Sequence, residues 1–230
     1  MIYKDYKPVR YFERNKNGID YAVGDIHGEF RSLDKLLDKV KFNKKKDRLF
    51  STGDLVDRGE LSHLVLDYLK EDWFFAVKGN HDCVISQLDK ASASVKTKYK
   101  TRFGGEWFFE QEVKQQKNII TAFKQLPLGM HIETENGNVG IVHADLPTAT
   151  WAVFDKQANA MNLKIIEQVM WSMERPKIKD QIIPDLKAVV CGHMSARKVR
   201  VLGNFHLIDT GSGTKGGKLT MINLTTMNEV

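Results

Sequence analysis

Apolar residues follow two different periods in the first third of the chain. Three short apolar runs, bounded by turn residues, have the length of buried strands. They span residues 19–23, 49–52 and 73–77. Between them, apolar residues recur every three to four positions in residues 33–40 and 61–69, which predicts two amphipathic helices, the first with Ser32 as its N-cap. This alternation indicates a sheet with helices packed against it.

The pattern changes twice in the remainder of the chain. After a helix predicted to open near Cys83, residues 90–125 are polar and largely helical in spacing, which predicts a small helical insertion. Strands then return, with a strong hairpin signal at an Asn-Gly pair, a weaker one at a Gly-Asn pair and a further buried strand. These features occupy residues 136–137, 203–204 and 188–191. No segment has the composition of a linker, so we predict a single domain over residues 1–230 with a mixed α/β sandwich fold.

Polar residues follow five of these strands directly. Three strands end at a glycine that polar residues follow at once, and two later strands run into a histidine. The five blocks are residues 24–28 (Gly-Asp-Ile-His-Gly), 53–59 (Gly-Asp-Leu-Val-Asp-Arg-Gly), 79–82 (Gly-Asn-His-Asp), 142–145 (Val-His-Ala-Asp) and 191–193 (Cys-Gly-His). Since ligands of open α/β sheets bind beyond the carboxyl ends of the strands, we expect one polar cluster there.

The residue types in these blocks suit divalent metal ions. A carboxylate can bridge two cations about 3.5–4 Å apart, while imidazole and amide oxygen complete the ligand set without adding negative charge. Oxygen and nitrogen ligands without thiolate favour Mn²⁺, Fe or Zn²⁺ over a soft metal. Glycine at a strand end allows a sharp turn and a close approach of the backbone. The sequence therefore predicts a dinuclear site able to polarise a phosphoryl group and activate water.

Composition and charge narrow the class of protein. The 230 residues are 42% hydrophobic and 28% charged, as in soluble globular proteins. The longest apolar run, residues 73–77, is far shorter than the about 20 residues of a membrane span, and no signal-peptide pattern opens the chain, so we expect a cytoplasmic protein without a membrane partner. The net charge of +6 comes largely from scattered lysines, which does not favour a nucleic-acid partner. We interpret Cys83 and Cys191 as unpaired, buried cysteines.

The five blocks resemble the phosphoprotein phosphatase family of metallophosphoesterases, whose signature is GDxHG, GDxVDRG and GNHE followed by two separated histidines. Other stretches are similar to the lambda-type branch of serine/threonine protein phosphatases, found in phage and bacteria. They are residues 104–109 (Gly-Gly-Glu-Trp-Phe-Phe), 143–147, 171–175 and 208–211 (Ile-Asp-Thr-Gly). The resemblance runs from about Tyr21 to the C-terminus and implies a β-sandwich of mixed sheets flanked by helices, in α/β/β/α layers.

The resemblance also implies a role for each matching residue. It assigns the first metal to Asp25, His27 and Asp54, and the second to Asp54, Asn80, His143 and His193. His81 corresponds to the general acid that protonates the leaving alkoxide, and Asp57 to the carboxylate that orients it. Arg58 would hold the phosphate with its planar fork of donors. The cofactors implied are two divalent ions, Mn²⁺ first, with Fe, Zn²⁺ or Ni²⁺ as alternatives.

Three positions depart from the pattern of these relatives. Asp82 stands where the protein phosphatases usually carry glutamate, which keeps the charge. Lys78 replaces an arginine, which reduces any bidentate contact with phosphate to a point charge. Met173 replaces a second phosphate-contacting arginine and cannot donate a hydrogen bond. Either Arg175 reaches the phosphate from two residues along, or phosphate is held less tightly on that side.

Together these observations predict a metal-dependent phosphomonoesterase, a serine/threonine protein phosphatase that could also accept phosphotyrosine. Its partners would be phosphorylated proteins or peptides, and water activated between two metals would attack phosphorus directly. One alternative is a dinucleoside tetraphosphate hydrolase, whose family shares the first three blocks. An alternative of another class is a non-catalytic phosphate-binding regulator on the same scaffold. No oligomeric state follows from the sequence.

Overall fold

Two β-sheets form the centre of the fold, which the structure, a computed structural model, describes for residues 6–178 and 180–230. The strands are β1 (Val9–Phe12), β2 (Asp20–Val23), β3 (Arg48–Ser51), β4 (Phe74–Ala76), β5 (Gly129–Thr134), β6 (Gly137–Val142), β7 (Ala188–Cys191), β8 (Arg200–Leu202), β9 (Phe205–Leu207) and β10 (Met221–Asn223). The α-helices are α1 (Phe30–Lys39), α2 (Val65–Leu69), α3 (Asn80–Ser86), α4 (Ala93–Arg102), α5 (Glu106–Glu110), α6 (Val113–Gln125), α7 (Trp151–Asn159) and α8 (Leu163–Trp171).

The smaller sheet has the strand order β10-β2-β3-β4, and the larger sheet has the order β1-β5-β6-β7-β9-β8. Strands β2, β3 and β4 are parallel to one another, as are β6 and β7 in the other sheet. The carboxyl ends of these five strands carry the five polar blocks. The fold thus brings the blocks to one edge of the sandwich, as the sequence predicts.

Alternation along the strands separates three apolar layers. Ala22 in β2 and Val190 in β7 lie in a core between the two sheets. Tyr21 and Val23, on the opposite face of β2, pack with α1, α2 and α6. Val189 faces α7 and α8 on the far side of the larger sheet. Because both faces of each sheet are covered, the central strands are mostly buried, and β7 is apolar at all four positions. The predicted α/β/β/α layering is confirmed.

The predicted elements differ from the observed ones mainly at their boundaries. Strand β7 has the predicted bounds, and both predicted hairpins are present, as β5–β6 and β8–β9. The predicted N-cap at Ser32 is wrong: α1 begins at Phe30, and the Ser32 hydroxyl donates to Glu29 from within the helix. Strand β1 was not predicted, since Val9 is its only fully buried residue and its apolar pattern is weak.

The segment predicted as a helical insertion, residues 90–125, consists of helices α4, α5 and α6. Its apolar side chains, among them Tyr99, Phe108 and Phe123, join the core on the outer face of the smaller sheet. None of the helices in the described part of the chain has the length and apolar character that crossing a bilayer requires.

Candidate metal centre and active site

Six side chains from the five blocks meet beyond the strand ends. Asp25 and His27 follow β2, Asp54 follows β3, Asn80 opens α3 after β4, and His143 and His193 follow β6 and β7. Oδ1 of Asn80 lies 2.8 Å from Nε2 of His143 and 3.0 Å from Nδ1 of His193. The main-chain N–H of His193 donates to Oδ2 of Asp25 at 2.9 Å. The structure therefore brings together all six residues that the sequence suggests as metal ligands.

The backbone at this edge is unusual for residues that carry side chains. Five of the candidate site residues have positive φ angles between 47° and 74°. They are His27, Asp54, Asp57, Arg58 and His193. The left-handed region is strained for residues other than glycine, and such strain concentrates at functional sites. All five residues lie in the turns that follow β2, β3 and β7.

Two glycines allow the blocks to pack against one another. A Cβ atom on Gly79 would lie 2.2 Å from Oδ1 of Asp54, and one on Gly192 would lie 1.8 Å from Oδ1 of Asp25. Neither position can hold a larger residue without moving a candidate ligand. These glycines are required by the approach of the backbone to the carboxylates.

Asp54 lies between two groups of ligand atoms. Its Oδ1 is 3.5 Å from Nε2 of His143, and its Oδ2 is 3.7 Å from Nε2 of His27 and 4.0 Å from Nε2 of His81. Two sets of three atoms each fit within 4.8 Å: one from Asp54, His143 and His193, the other from Asp54, His27 and His81. One carboxylate shared by two sets is the arrangement expected at a dinuclear site.

The hydrogen bonds of the histidines leave lone pairs directed into this cluster. Nδ1 of His27 lies 3.0 Å from the carbonyl of Val56, and Nδ1 of His143 lies 2.8 Å from the carbonyl of Thr52. A carbonyl oxygen can only accept, so Nδ1 carries the proton in both rings and Nε2 is an acceptor. Metal-binding histidines are commonly held in this way.

These acceptors also face one another. Nε2 of His143 points at Oδ1 of Asn80, which is also an acceptor. The other ring nitrogen of His193 bonds to the main chain of Trp171, so its Nδ1, which is directed at the same oxygen, is an acceptor too. With Oδ1 of Asn80 in this position, acceptors face one another at about 3 Å, an arrangement that a cation between them would stabilise. The donor set therefore fits a pair of divalent cations, and the cluster could hold a dinuclear metal site.

The electrostatics of the cluster agree with this ligand set. Burial disfavours the charged imidazole and lowers the pKa of His27 to about 3. Burial and the nearby His143 lower the pKa of His193 to about 4. Both rings are therefore neutral at pH 7, as metal ligands must be. Burial, with repulsion from Asp209 and Asp54, raises the pKa of Asp25, a strain that a cation would relieve.

His81 differs from the other histidines of the edge. Its Nδ1 lies 2.6 Å from Oδ2 of the buried Asp57. Burial opposes a charge on the ring, but the carboxylates of Asp54 and Asp57 outweigh burial and raise the pKa of His81. This imidazole consequently holds a proton more readily than an isolated one, with Nε2 turned toward the cluster.

Arg58 lies exposed at the mouth of the cluster. Its Nη1 is 2.9 Å from Nε2 of His27, and its Nη2 is 3.4 Å from Nε2 of His81. A protonated His81 and the guanidinium thus present donors to the same opening. An oxyanion there could accept from both.

Lys78 and Arg175, the other two candidate phosphate ligands, have their charges engaged elsewhere. Lys78 donates to the carbonyl of Lys124 at 3.3 Å, and burial lowers the pKa of its ammonium group. Arg175 is 1% exposed and donates from Nε to Oδ1 of Asp145 at 2.7 Å and from Nη1 to Oε1 of Gln181 at 2.9 Å. The structure does not bring either cation to the opening beside Arg58.

Three residues at the site have roles that the sequence did not reveal. Asp82, noted only as a departure from glutamate, accepts from the main-chain N–H groups of Gly79, Asp54 and Leu55 at 2.9–3.1 Å, and so ties the turn after β3 to the start of α3. Tyr99 and Trp107 both donate to Asp57. Trp107 belongs to a stretch singled out by resemblance, whereas nothing in the sequence distinguishes Tyr99.

A four-layered α/β sandwich with a histidine and aspartate cluster at its strand ends defines a class of metal-dependent phosphoesterases. The chain belongs to the calcineurin-like phosphoesterase family, whose model matches residues 21–210. The matched range contains all five polar blocks and therefore every residue of the cluster.

The similar proteins include both serine/threonine-protein phosphatases and bis(5'-nucleosyl)-tetraphosphatases. Serine/threonine-protein phosphatase 1 of Salmonella typhimurium is 34% identical over 204 residues, which cover 87% of this chain and 89% of that protein. A symmetrical bis(5'-nucleosyl)-tetraphosphatase of Aromatoleum aromaticum is 35% identical over 130 residues, covering 55% of this chain and 44% of that protein. The crystal structure of a proposed diadenosine tetraphosphatase superposes with a TM-score of 0.66 at 22% identity, covering 98% of this chain and 97% of its own, which supports the fold alone.

Proposed function

We propose that this phosphoesterase hydrolyses phosphoserine and phosphothreonine monoesters in proteins or peptides. The observation that carries the proposal is the opening shared by three groups: the ligand cluster around Asp54, the guanidinium of Arg58 and the imidazole of His81. A phosphate dianion there would meet metal charge on one side and hydrogen-bond donors on the other. Its ester oxygen would lie toward His81.

Two divalent ions, Mn²⁺ first, are the proposed cofactors. We assign one ion to Asp25, His27 and Asp54, and the other to Asp54, Asn80, His143 and His193. When bound, such a pair polarises the phosphoryl group and lowers the pKa of a water toward neutrality. The neutral imidazoles and the shared carboxylate support this assignment, because they supply lone pairs with little excess charge.

The protein itself supplies the proton and the hold on phosphate. Arg58 would bind two equatorial oxygens with its fork of N–H groups as charge builds on them. His81 would give its Nε2 proton to the departing serine or threonine oxygen, which is too basic to leave as an alkoxide. Asp57 would stabilise the imidazolium before this transfer; together with Asp54, and against the effect of burial, it raises the pKa of His81.

The extent of similarity favours a protein phosphatase over a dinucleotide hydrolase. The match to the Salmonella phosphatase spans nearly the whole of both chains, whereas the match to the tetraphosphatase spans less than half of that enzyme. A symmetrical tetraphosphatase is the second candidate, because the Aromatoleum tetraphosphatase is 35% identical to this chain over 130 residues.

A comparison of three substrates, each assayed separately, would test the proposal. The Mn²⁺-loaded protein would be assayed for kcat/KM on a phosphoserine peptide, a phosphotyrosine peptide and diadenosine tetraphosphate, with the Asp54→Asn variant as the blank. We expect the phosphoserine peptide to exceed the dinucleotide by at least about tenfold, since about 1.4 kcal/mol of transition-state binding suffices for that ratio.

The reverse order would replace the proposal with a tetraphosphatase. Hydrolysis of none of the three substrates, in protein carrying its metals, would favour a phosphate-binding regulator. These two outcomes can be told apart because a tetraphosphatase retains Mn²⁺-dependent turnover, whereas a phosphate-binding regulator has none.

A further inference from the structure

The carboxylate of Asp57 receives more donors than orienting one histidine requires. Oδ2 accepts from Nδ1 of His81 at 2.6 Å, while Oδ1 accepts from the hydroxyl of Tyr99 at 2.6 Å and from Nε1 of Trp107 at 2.7 Å. Asp57 is 0% exposed. Three short, charge-assisted bonds on a fully buried carboxylate fix both its position and its rotation.

Two of these donors come from the helical segment predicted as an insertion. Tyr99 belongs to α4 and Trp107 to α5, and they approach the same oxygen from different helices. Tyr99 is 1% exposed, and its ring lies against Gly105, where an added Cβ would be 2.2 Å from the ring. The packing leaves the phenol one orientation, with its hydroxyl directed at Asp57.

The same segment also touches the acid and the phosphate-binding arginine. The ring of Phe103, between α4 and α5, meets the His81 ring edge to face at a centroid distance of 5.4 Å. Gly104 has φ of 77°, and a Cβ there would lie 2.8 Å from the main-chain nitrogen of Arg58. Residues 99–107 therefore contact both His81 and Asp57.

We propose that Tyr99 and Trp107 are positioning residues for the general acid, and that residues 99–107 serve as a clamp on Asp57. By holding Oδ1 from two sides, they keep Oδ2 in line with Nδ1 of His81, which in turn keeps Nε2 directed at the ester oxygen. This inference rests on the proposed function, because it assigns the clamp to leaving-group protonation. A purely structural contact would instead affect all substrates alike.

Tyr99→Phe and Trp107→Phe would test the clamp, singly and together, in the Mn²⁺-loaded protein. Each variant removes one donor and keeps the aromatic body. Tyr68→Phe is the matched control, since it removes a phenol hydroxyl that donates to the Asp34 carboxylate at 2.7 Å on the surface. Turnover would be measured on phenyl phosphate, a poor leaving group, and on nitrophenyl phosphate, a good one.

For Tyr99→Phe we expect kcat on phenyl phosphate to fall about tenfold, a part of the about 10²- to 10⁴-fold that general acid catalysis contributes. On nitrophenyl phosphate the fall should stay within about twofold, because a good leaving group needs little protonation. KM for both esters and the metal content should match those of Tyr68→Phe, whereas the melting temperature should fall further than in Tyr68→Phe, because a buried carboxylate loses a charge-assisted donor. The double variant should increase the selective loss on phenyl phosphate.

Equal losses on the two esters, or no loss beyond that of Tyr68→Phe, would overturn the clamp while leaving the proposed function intact. A fall in metal content that accounts for the lost activity would also overturn it. A wild-type protein that hydrolyses neither ester would instead overturn the proposed function, and the clamp with it.

Discussion

Asp54 and Asp57 lie three residues apart, both buried and both with left-handed backbone angles of 48° and 74°, yet their surroundings are opposite. Around Asp54 the nearest imidazole nitrogens stand at 3.5–4.0 Å, beyond hydrogen-bond length. Around Asp57 three donors stand at 2.6–2.7 Å. Asp54 accepts at Oδ1 from the main-chain N–H of His81 at 2.9 Å and otherwise faces imidazole nitrogens, whereas the Asp57 carboxylate receives three side-chain donors.

The difference shows how one short loop can carry two kinds of chemistry. His27 and His143, which face Asp54, donate from Nδ1 to main-chain carbonyls and keep the lone pair on Nε2 for a metal. His81, Tyr99 and Trp107 instead donate hydrogen bonds directly to the Asp57 carboxylate. What a buried carboxylate does is therefore decided by whether its neighbours are acceptors or donors.

Replacing either of the two aspartates should have the largest effects on metal content and activity. Asp54→Asn removes the carboxylate shared by both ligand sets, so we expect both ions to be lost and kcat/KM to fall by at least about 10³-fold, since metal charge contributes several kcal/mol. Asp57→Asn should retain both ions, because Asp57 contacts donors only. Elemental analysis of the two purified variants measures the number of metal ions that each retains.

Normal metal content in Asp54→Asn would remove that residue from its bridging role. Loss of the ions in Asp57→Asn would show that the two carboxylates belong to one metal site, and the contrast between them would disappear.

His81→Asn addresses the proton rather than the metals. We expect turnover on phenyl phosphate to fall about 10²-fold or more and turnover on nitrophenyl phosphate to fall far less, because the second leaving group needs no acid. His63→Asn, at an exposed histidine, is the control and should change neither rate. Rates on the two esters that decline in parallel would exclude His81 as the acid.

The cluster of candidate metal ligands was predictable because each of its residues closely follows the end of a strand. A buried strand followed closely by Asp, His or Asn indicates the carboxyl edge of a sheet, where ligands of α/β folds bind, so five such strands favour one shared polar cluster. Asp25, Asn80 and His193 are far apart in the chain but follow this rule equally. Predicting the cluster needed only the position of each block after its strand and no information on side-chain packing.

The clamp on Asp57 was beyond sequence analysis for the same reason. Tyr99 and Trp107 lie 42 and 50 residues from Asp57 and reach it across helices α4 and α5. A helical pattern predicts that an aromatic residue is buried, but not which polar atom its hydroxyl meets. The suggestion that Arg175 reaches the phosphate rested on its distance from Met173 in the chain, whereas the structure directs its guanidinium to Asp145.

Asp145 extends the comparison to a third buried carboxylate, one balanced by a full positive charge. Its partner Arg175 is 1% exposed and has its Cζ 3.6 Å from the centroid of the Phe205 ring. Arg175→Met would leave Asp145 charged and unpaired in the interior, which costs about 3–5 kcal/mol. We therefore expect a large loss in the free energy of unfolding and a change in kcat/KM of no more than about threefold.

Urea unfolding of the metal-loaded protein, together with KM for a phosphoserine peptide, separates this structural role from phosphate binding. Arg48→Met is the matched control, because Arg48 makes a bidentate pair with Asp20 at 2.7–2.8 Å on strands β2 and β3. A raised KM with unchanged stability in Arg175→Met would return this arginine to the phosphate. The expected pattern, a stability loss with KM as in Arg48→Met, leaves Arg58 as the guanidinium that faces the substrate.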